Sequence, residues 1–153
     1  MLRGKGQILV VDDEANLRRV LSVQLEREGF EVHTAEDGQQ ATEVFRQHHV
    51  DLIISDLRMP KLDGMGLLRA SMQDDPTRPV VIVTAHGTID SAVEALKNGA
   101  FDFIRKPFDK EEVRRIVDKA MRTRELARGQ AHRHASGDSS RFGIIGKLSL
   151  IHI

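Results

Sequence analysis

The 153-residue sequence contains no cysteine. This absence excludes disulfides, thiolate metal sites and a cysteine nucleophile, and it fits a reducing compartment. Neither sign of charge dominates, since 23 Lys and Arg balance 23 Asp and Glu, so bulk charge gives no argument for nucleic acid or a membrane surface. No apolar run approaches the length of a membrane span, and the acids of VVDDE come too early for a signal peptide. We therefore expect a cytoplasmic protein without membrane contact.

The apolar residues form short runs that alternate with segments of helical spacing. Five runs are typical of strands in a parallel sheet: ILVV (8–11), FEVHTA (30–35), VDLIISD (50–56), PVVIVTA (79–85) and FDFIRK (101–106). After each run, apolar residues recur at helical spacing: Leu17, Val20, Leu21 and Leu25; Ala41, Val44, Phe45 and His48; Leu67, Leu68 and Met72; Ile89, Ala92, Val93 and Leu96; Val113, Ile116, Val117, Ala120 and Met121. Strict alternation predicts an α/β fold, a doubly wound parallel sheet with helices on both faces.

The composition changes after about Arg128. The stretch GQAHRHASGDSS (129–140) is polar and rich in Gly and Ser, which is typical of a linker, whereas FGIIGKLSLIHI (142–153) is apolar again. We expect a folded domain over residues 6–124, a helix extension and linker over 125–141, and either the cut-short start of a further domain or an appended tail over 142–153.

Chemically active side chains follow four of the five predicted strands. Parallel strands bring their carboxyl ends to one edge of the sheet, where ligands bind. That edge would gather three carboxylates, a hydroxyl and an ammonium: Asp12, Asp13, Asp56, Thr84 and Lys106. Three close carboxylates repel one another, and oxygen ligands without His or Cys favour Mg²⁺. With a lysine and a hydroxyl beside the metal, the edge suits a phosphoryl group.

Asp56 is the candidate nucleophile, because carboxylates can form aspartyl phosphates and this one ends a central strand. The loop after it, LRMPKLDG, can offer the main-chain carbonyl of Arg58 to the metal. Each residue also has a simpler interpretation when taken alone. Asp13 could cap a helix, Thr84 could fill a strand, and Lys106 could be a surface charge.

The motifs together resemble a known family. VVDDE, DLIISDLRMPKLDG, VVIVTAHG and GAFDFIRKPF, in this order and spacing, resemble the receiver domain of two-component response regulators over about residues 8–121. The resemblance implies a flavodoxin-like (CheY-like) sheet of five parallel strands in the order 2-1-3-4-5 with five helices. It also implies that a phosphoryl group passes from a histidine of a sensor kinase to this domain, which is a signalling domain and not an enzyme.

The resemblance assigns a role to each matched residue. These roles are Asp56 as phosphoacceptor, Asp12 and Asp13 as the acidic pair that holds Mg²⁺, Thr84 as switch hydroxyl, Phe103 as switch aromatic, and Lys106 as the lysine that contacts the phosphoryl group. A cis bond is expected between Lys106 and Pro107. His86 follows the Thr84 strand, and we expect it to modulate access to Asp56.

The output is expected to be transcriptional. FGIIG after the linker resembles the junction in NtrC-type transcriptional activators, although KLSLIHI departs from that pattern. We expect a homodimer through the surface of the fourth helix, fifth strand and fifth helix, or through the extended last helix, where Ala120, Thr123 and Ala127 would form one stripe. Opposite-charge pairs at helical spacing argue against direct DNA contact by this domain.

Two alternatives belong to other classes. One is an Mg²⁺-dependent phosphatase with an aspartyl nucleophile. Such enzymes have a D-x-D pattern, in which an acid–base aspartate lies two residues after the nucleophile, whereas Arg58 stands at that position here. The other is a degenerate or stand-alone receiver that acts by protein binding alone. The complete set of acids, hydroxyl and lysine argues against a degenerate site.

Overall fold

The structure is a computed structural model that describes residues 5–59, 61–84 and 89–135, with the backbone alone for 89 and 129–135. Strands and helices alternate throughout: β1 (Gln7–Val11), α1 (Ala15–Arg27), β2 (Glu31–Ala35), α2 (Gly38–Gln47), β3 (Leu52–Asp56), α3 (Gly64–Asp74), β4 (Val80–Thr84), α4 (Ile89–Lys97), β5 (Asp102–Arg105) and α5 (Lys110–Ala135). His86, residues 136–141 of the expected linker and the segment 142–153 lie outside the described residues.

The five strands form one parallel sheet in the order β2-β1-β3-β4-β5. The predicted fold class and strand order are therefore confirmed. β1, β3 and β4 are buried along nearly their whole length, which explains their continuous apolar sequences. Among the described residues, no helix is both long and apolar enough to cross a membrane.

Alternate residues of each strand face two separate cores. Ile8, Val10 and Ile54 pack with α1 and α5, whereas Leu9 and Ile53 pack with α2, α3 and α4. These side chains are at most 1% exposed. Burial of each such side chain contributes about 1.5–3 kcal/mol, so the two cores hold the sheet as a rigid support for its carboxyl edge.

Three of the apolar residues that mark the helical spacing of α1 and α4 lie at the surface. Val20 is 55% exposed, and Val93 and Leu96 are 43% and 39% exposed. On α1 the buried face is turned toward Leu21 and Gln24, and the Gln24 amide donates a 3.0 Å hydrogen bond to the carbonyl of Lys110 at the start of α5. A buried hydrogen-bonded glutamine cannot be distinguished from a surface glutamine by apolar periodicity.

The last helix is longer than the sequence predicted. α5 continues to Ala135, although the polar composition after Arg128 predicted a linker there. AHRHA contains good helix formers, and a helix that is already formed extends at little cost. The predicted dimer stripe is wrong at its first member, since Ala120 is fully buried in the core shared with α1 and is not available to a partner.

Candidate functional site

The carboxyl ends of β1 and β3 bring three acidic side chains together. Strand pairing sets Val11 beside Ser55, so the residues that follow, Asp12 and Asp56, end at the same level of the sheet. Carboxylate oxygens of Asp12, Asp13 and Asp56 lie within 4.8 Å of one another. We call these three residues the acidic cluster. Asp12 and Asp56 are buried, whereas Asp13 is exposed to solvent, so the cluster is open on one side.

Asp12 is held in place by three separate hydrogen bonds. Its amide donates to the carbonyl of Ala35 at 3.2 Å, and its Oδ1 accepts from the amide of Glu14 at 2.8 Å. Its own carbonyl accepts from the guanidinium of Arg18 at 2.7 Å. The N-cap of α1 is Glu14, whose side chain makes no capping bond, so the interpretation of Asp13 as the helix cap is wrong.

Arg18 is a residue of the site that the sequence reasoning missed. It lies on the first turn of α1, where its side chain returns to the end of β1. The only signal in the sequence was a basic residue shortly after three acids, and the next residue, Arg19, gave the same signal but is exposed. The pattern could not choose between the two because it does not give the orientation of the helix.

Lys106 faces the acidic cluster from the other side. Its Nζ lies 3.4 Å from Oδ2 of Asp56 and 3.6 Å from Oδ2 of Asp12. Its amide donates a 2.8 Å hydrogen bond to the carbonyl of Thr84, and the following bond to Pro107 is cis, as the resemblance implied. The buried Thr84 ends β4, next to Asp56 at the end of β3.

Burial is the main influence on the ionisation of the site. It raises the pKa of Asp56, while the charge and hydrogen bond of Lys106 and the amide of Leu57 act in the opposite direction. Burial also raises the pKa of Asp12, where the Glu14 amide opposes the rise and the charge of Asp56 adds to it. Both carboxyl groups are therefore harder to ionise than usual. A cation at this edge would stabilise their charged forms.

The loop after Asp56 is fixed against the site by a glycine. The amide of Gly64 donates a 2.9 Å hydrogen bond to the carbonyl of Leu57. A Cβ on Gly64 would lie 2.7 Å from the main-chain oxygen of Asp56 and 2.8 Å from the Cα of Leu57, so only glycine allows this approach. Asp63 caps the same helix by accepting from the amide of Gly66 at 2.9 Å. The side chain of Arg58 in this loop is exposed.

Phe103 lies apart from the acidic cluster. It pairs with Ile82 of the neighbouring strand and packs, partly buried, against the core formed with α2, α3 and α4. Its simplest description is a core aromatic at the edge strand β5. The structure thus brings Asp12, Asp13, Asp56 and Lys106 together, with Thr84 on the adjacent strand end, and leaves Phe103 outside the group.

Comparison with known proteins gives one consistent match. The family model "Response regulator receiver domain" matches residues 8–118. Regulatory protein AtoC of Escherichia coli strain K12 is 39% identical over 135 residues, which cover 88% of this chain and 29% of that relative. The DNA-binding transcriptional regulator NtrC of Klebsiella pneumoniae is 37% identical over 143 residues, which cover 94% of this chain and 30% of that protein.

Solved structures agree with this match. A response regulator receiver domain protein from Clostridium thermocellum superposes with a TM-score of 0.76 at 35% identity and covers 80% of this chain and 98% of its own. NtrX from Brucella abortus, crystallised with ATP, gives a TM-score of 0.80 at 35% identity over 83% of this chain and 29% of its own. The chain spans less than a third of the curated relatives, which are NtrC/AtoC-type regulators with their receiver at the amino terminus. On this evidence the chain belongs to the response regulator receiver domain family.

Proposed function

We propose that Asp56 accepts a phosphoryl group from a phosphohistidine of a sensor kinase. A carboxylate oxygen of Asp56 attacks phosphorus, the P–N bond breaks, and the histidine nitrogen leaves with the electron pair. The observation that carries this proposal is the position of Lys106 Nζ, 3.4 Å from the Asp56 carboxylate at the open carboxyl edge of the sheet. An ammonium at this distance favours the charged, nucleophilic form of Asp56 and can stabilise the negative charge on the oxygens of a phosphoryl group bound to it.

The acidic cluster fits a divalent cation. Its carboxylates are hard oxygen donors, and burial holds the pKa of Asp12 and Asp56 above the usual value, so both would gain from a bound cation. Asp12, Asp13, Asp56 and the main-chain carbonyl of Arg58 would hold Mg²⁺. When bound, Mg²⁺ offsets the negative charge on the oxygens of the transferred group.

Thr84 and Lys106 are the residues that would respond to phosphorylation. Switching a population from 1:99 to 99:1 requires about 5.5 kcal/mol of preference for the active state. Two charge-assisted hydrogen bonds to the phosphoryl group, at about 1.5–3 kcal/mol each, reach that magnitude. The Thr84 hydroxyl would move toward the phosphoryl group, and the half-buried Phe103 would follow into the space that opens.

The surface formed by α4, β5 and α5 would carry the signal to an output domain. Val93 and Leu96 of α4 are exposed apolar residues on this surface, which supports its use in dimerisation or docking. The similarity to NtrC-type regulators supports control of transcription by a separate output domain, with no direct nucleic-acid contact by this one. We further propose that the domain acts in the cytoplasm.

The decisive experiment is incubation with Mg²⁺ and acetyl phosphate, followed by intact-mass measurement. We expect the parent chain to gain one phosphate and Asp56→Asn to gain none. Arg105→Gln, an exposed neighbour of the site lysine, serves as the matched control and should gain one phosphate. Phosphate on Asp56→Asn, or none on the parent, would contradict the assignment.

The same samples test the phosphatase alternative. A receiver undergoes at most self-phosphorylation from a phosphodonor and slow autodephosphorylation, whereas a phosphatase turns over many times. We expect less than one equivalent of p-nitrophenol per chain from p-nitrophenyl phosphate. The exposed side chain of Arg58, two residues after Asp56, offers no carboxyl group for acid–base catalysis.

A further inference from the structure

Arg124 is a buried charge that the phosphoryl site does not use. It lies midway along α5 and is 4% exposed. Its Nε donates to Asp51 Oδ1 at 3.1 Å. One of its terminal nitrogens donates to Asp75 Oδ2 at 2.9 Å and to the Thr77 hydroxyl at 3.0 Å. One guanidinium thus joins two carboxylates, those of Asp51 and Asp75, that lie far apart in the sequence.

The two carboxylates are themselves fixed to other elements. Asp51 accepts from the amide of Gln7 at 2.9 Å and from the ring of His49 at 2.7 Å. Asp75, the C-cap of α3, accepts from the amide of Thr77 at 3.0 Å and from its hydroxyl at 2.7 Å. The guanidinium therefore contacts a preformed arrangement at the amino edge of the sheet, opposite the phosphoryl site.

Ionisation favours the same arrangement. Burial acts to raise the pKa of Asp51, but hydrogen bonds from Gln7 and Arg124 outweigh it and the pKa lies below its usual value. Burial likewise opposes the lowering at Asp75, where Thr77 and Arg124 prevail. Both groups are charged at neutral pH, so loss of Arg124 would take a charged partner from each of two partly buried carboxylates.

The position of Arg124 gives this arrangement a consequence for signalling. Asp51 immediately precedes β3, which ends in Asp56, and Asp75 lies just before β4, which ends in Thr84. Beyond Arg124, α5 continues to Ala135, which is about 16 Å of further helix. A tilt of about 10° at this point would move the end of that helix by about 3 Å.

We infer that Arg124 is a positioning residue that fixes the direction of the α5 extension relative to β3 and β4. We call Arg124, Asp51 and Asp75 the anchor. Because the anchor ties α5 to the starts of β3 and β4, any movement of these strands would be transmitted to the α5 extension. The meaning for signalling rests on the proposed function, whereas the mechanical role of Arg124 does not.

The test measures the direction of the helix. Because the sequence lacks cysteine, Glu43→Cys at an exposed position of α2 and Ala131→Cys, about two turns beyond Arg124 on α5, can carry the only two spin labels. Pulsed electron–electron double resonance then gives the distribution of distances between the two spin labels in the full chain. We expect one narrow distribution in the parent background and a distribution at least about twice as broad with Arg124→Gln.

The matched control is Arg128→Gln. Arg128 lies one turn further along α5, and its guanidinium is 3.6 Å from the same Asp51 oxygen, but its side chain is 52% exposed. An exposed pair adds little order, so the distribution should stay narrow. An unchanged distribution with Arg124→Gln, or equal broadening with Arg128→Gln, would overturn the inference.

A second variant covers the case in which Arg124→Gln does not fold, as judged by circular dichroism. Arg124→Lys keeps the charge, but a single ammonium cannot reproduce the planar fork that reaches both carboxylates. It should broaden the distribution, and a distribution as narrow as that of the parent would refute the role. Phosphate uptake should stay at one per chain in either variant. If the parent takes up none, the proposed function fails while the distances still decide the role of Arg124.

Discussion

The ammonium of Lys106 lies 3.4 Å from the carboxylate of Asp56, although 50 residues separate them in the sequence. This distance links the charge of Lys106 to the ionisation of Asp56, since burial raises the pKa of the carboxyl group and Lys106 opposes that rise. Asp56 ends β3 and Lys106 directly follows β5, and these two strands lie on either side of β4, so the sheet itself determines the pair.

Replacing Lys106 should slow the phosphorylation of Asp56. In Lys106→Met the positive charge that lowers the pKa of Asp56 is lost. The effect of burial then raises this pKa further, and a smaller fraction of Asp56 is in the charged, nucleophilic form. Loss of one partly exposed charge-assisted contact predicts a decrease of about tenfold in the rate with acetyl phosphate. Intact mass against time measures the rate, with Arg105→Gln as the exposed neighbouring control. A rate equal to that of the parent would show that the ammonium has no part in the transfer.

Magnesium should stabilise the folded chain through the acidic cluster. A ligand that binds only the native state at about 100 times its Kd adds about 2.7 kcal/mol to the free energy of unfolding. Thermal unfolding with and without Mg²⁺ should therefore show a higher Tm for the parent and a smaller increase for Asp13→Asn, which removes one of the three carboxylates. The exposed Glu43→Gln controls for nonspecific charge effects, and it should behave as the parent does. An equal increase in Asp13→Asn would place the metal elsewhere.

Gly64→Ala should disturb both stability and phosphorylation. The added Cβ would lie 2.7 Å from the main-chain oxygen of Asp56, and neither backbone segment can yield without moving the nucleophile. We expect a loss of about 1–3 kcal/mol in urea unfolding and slower phosphate uptake.

Gly66→Ala is the matched control on the same helical turn. Its added Cβ would meet the tip of the flexible Leu62 side chain, which can change rotamer. The control should lose less stability and keep the uptake rate. If both alanine variants keep the parent rate, the close approach of Gly64 does not position Asp56.

Sequence alone could predict the sheet because the central strands are buried on both faces. Such strands read as unbroken apolar runs, and the residue after each run marks the carboxyl edge. Asp56 and Lys106 could therefore be assigned to the same edge before any coordinates were known. The same logic predicts which groups meet, but gives no distance between them.

The remaining features depend on contacts that leave no local pattern. Arg124 meets Asp51 across 73 residues, and in the sequence it is one of many basic residues on a charged helix. Gln24 is buried because its amide finds the Lys110 carbonyl, which is a tertiary contact. The helical continuation beyond Arg128 was missed for another reason, since the polar composition there is equally compatible with a linker and an exposed helix.

Two pairs of carboxylates should give the stability a maximum in mildly acidic solution. Burial raises the pKa of Asp12 and Asp56 above the ordinary aspartate value of 3.8, so as pH falls toward that value the folded chain takes up their protons first and its free energy of unfolding rises. The pKa of Asp51 and Asp75 lies below 3.8, because their hydrogen bonds overcome the effect of burial, so below about pH 4 the unfolded chain takes up protons first and stability falls.

Urea unfolding without Mg²⁺ from pH 3 to 7 can separate the two limbs of this profile. Asp56→Asn should flatten the limb above the maximum and leave the other unchanged. Asp51→Asn should flatten the limb below it and, because Arg124 keeps Asp75 and Thr77 but loses one charged partner, lower the stability at pH 7 by about 1–3 kcal/mol. The exposed Asp90→Asn should alter neither limb. Parallel profiles for the parent and Asp51→Asn would mean that the salt bridge to Arg124 does not hold Asp51 in its charged form.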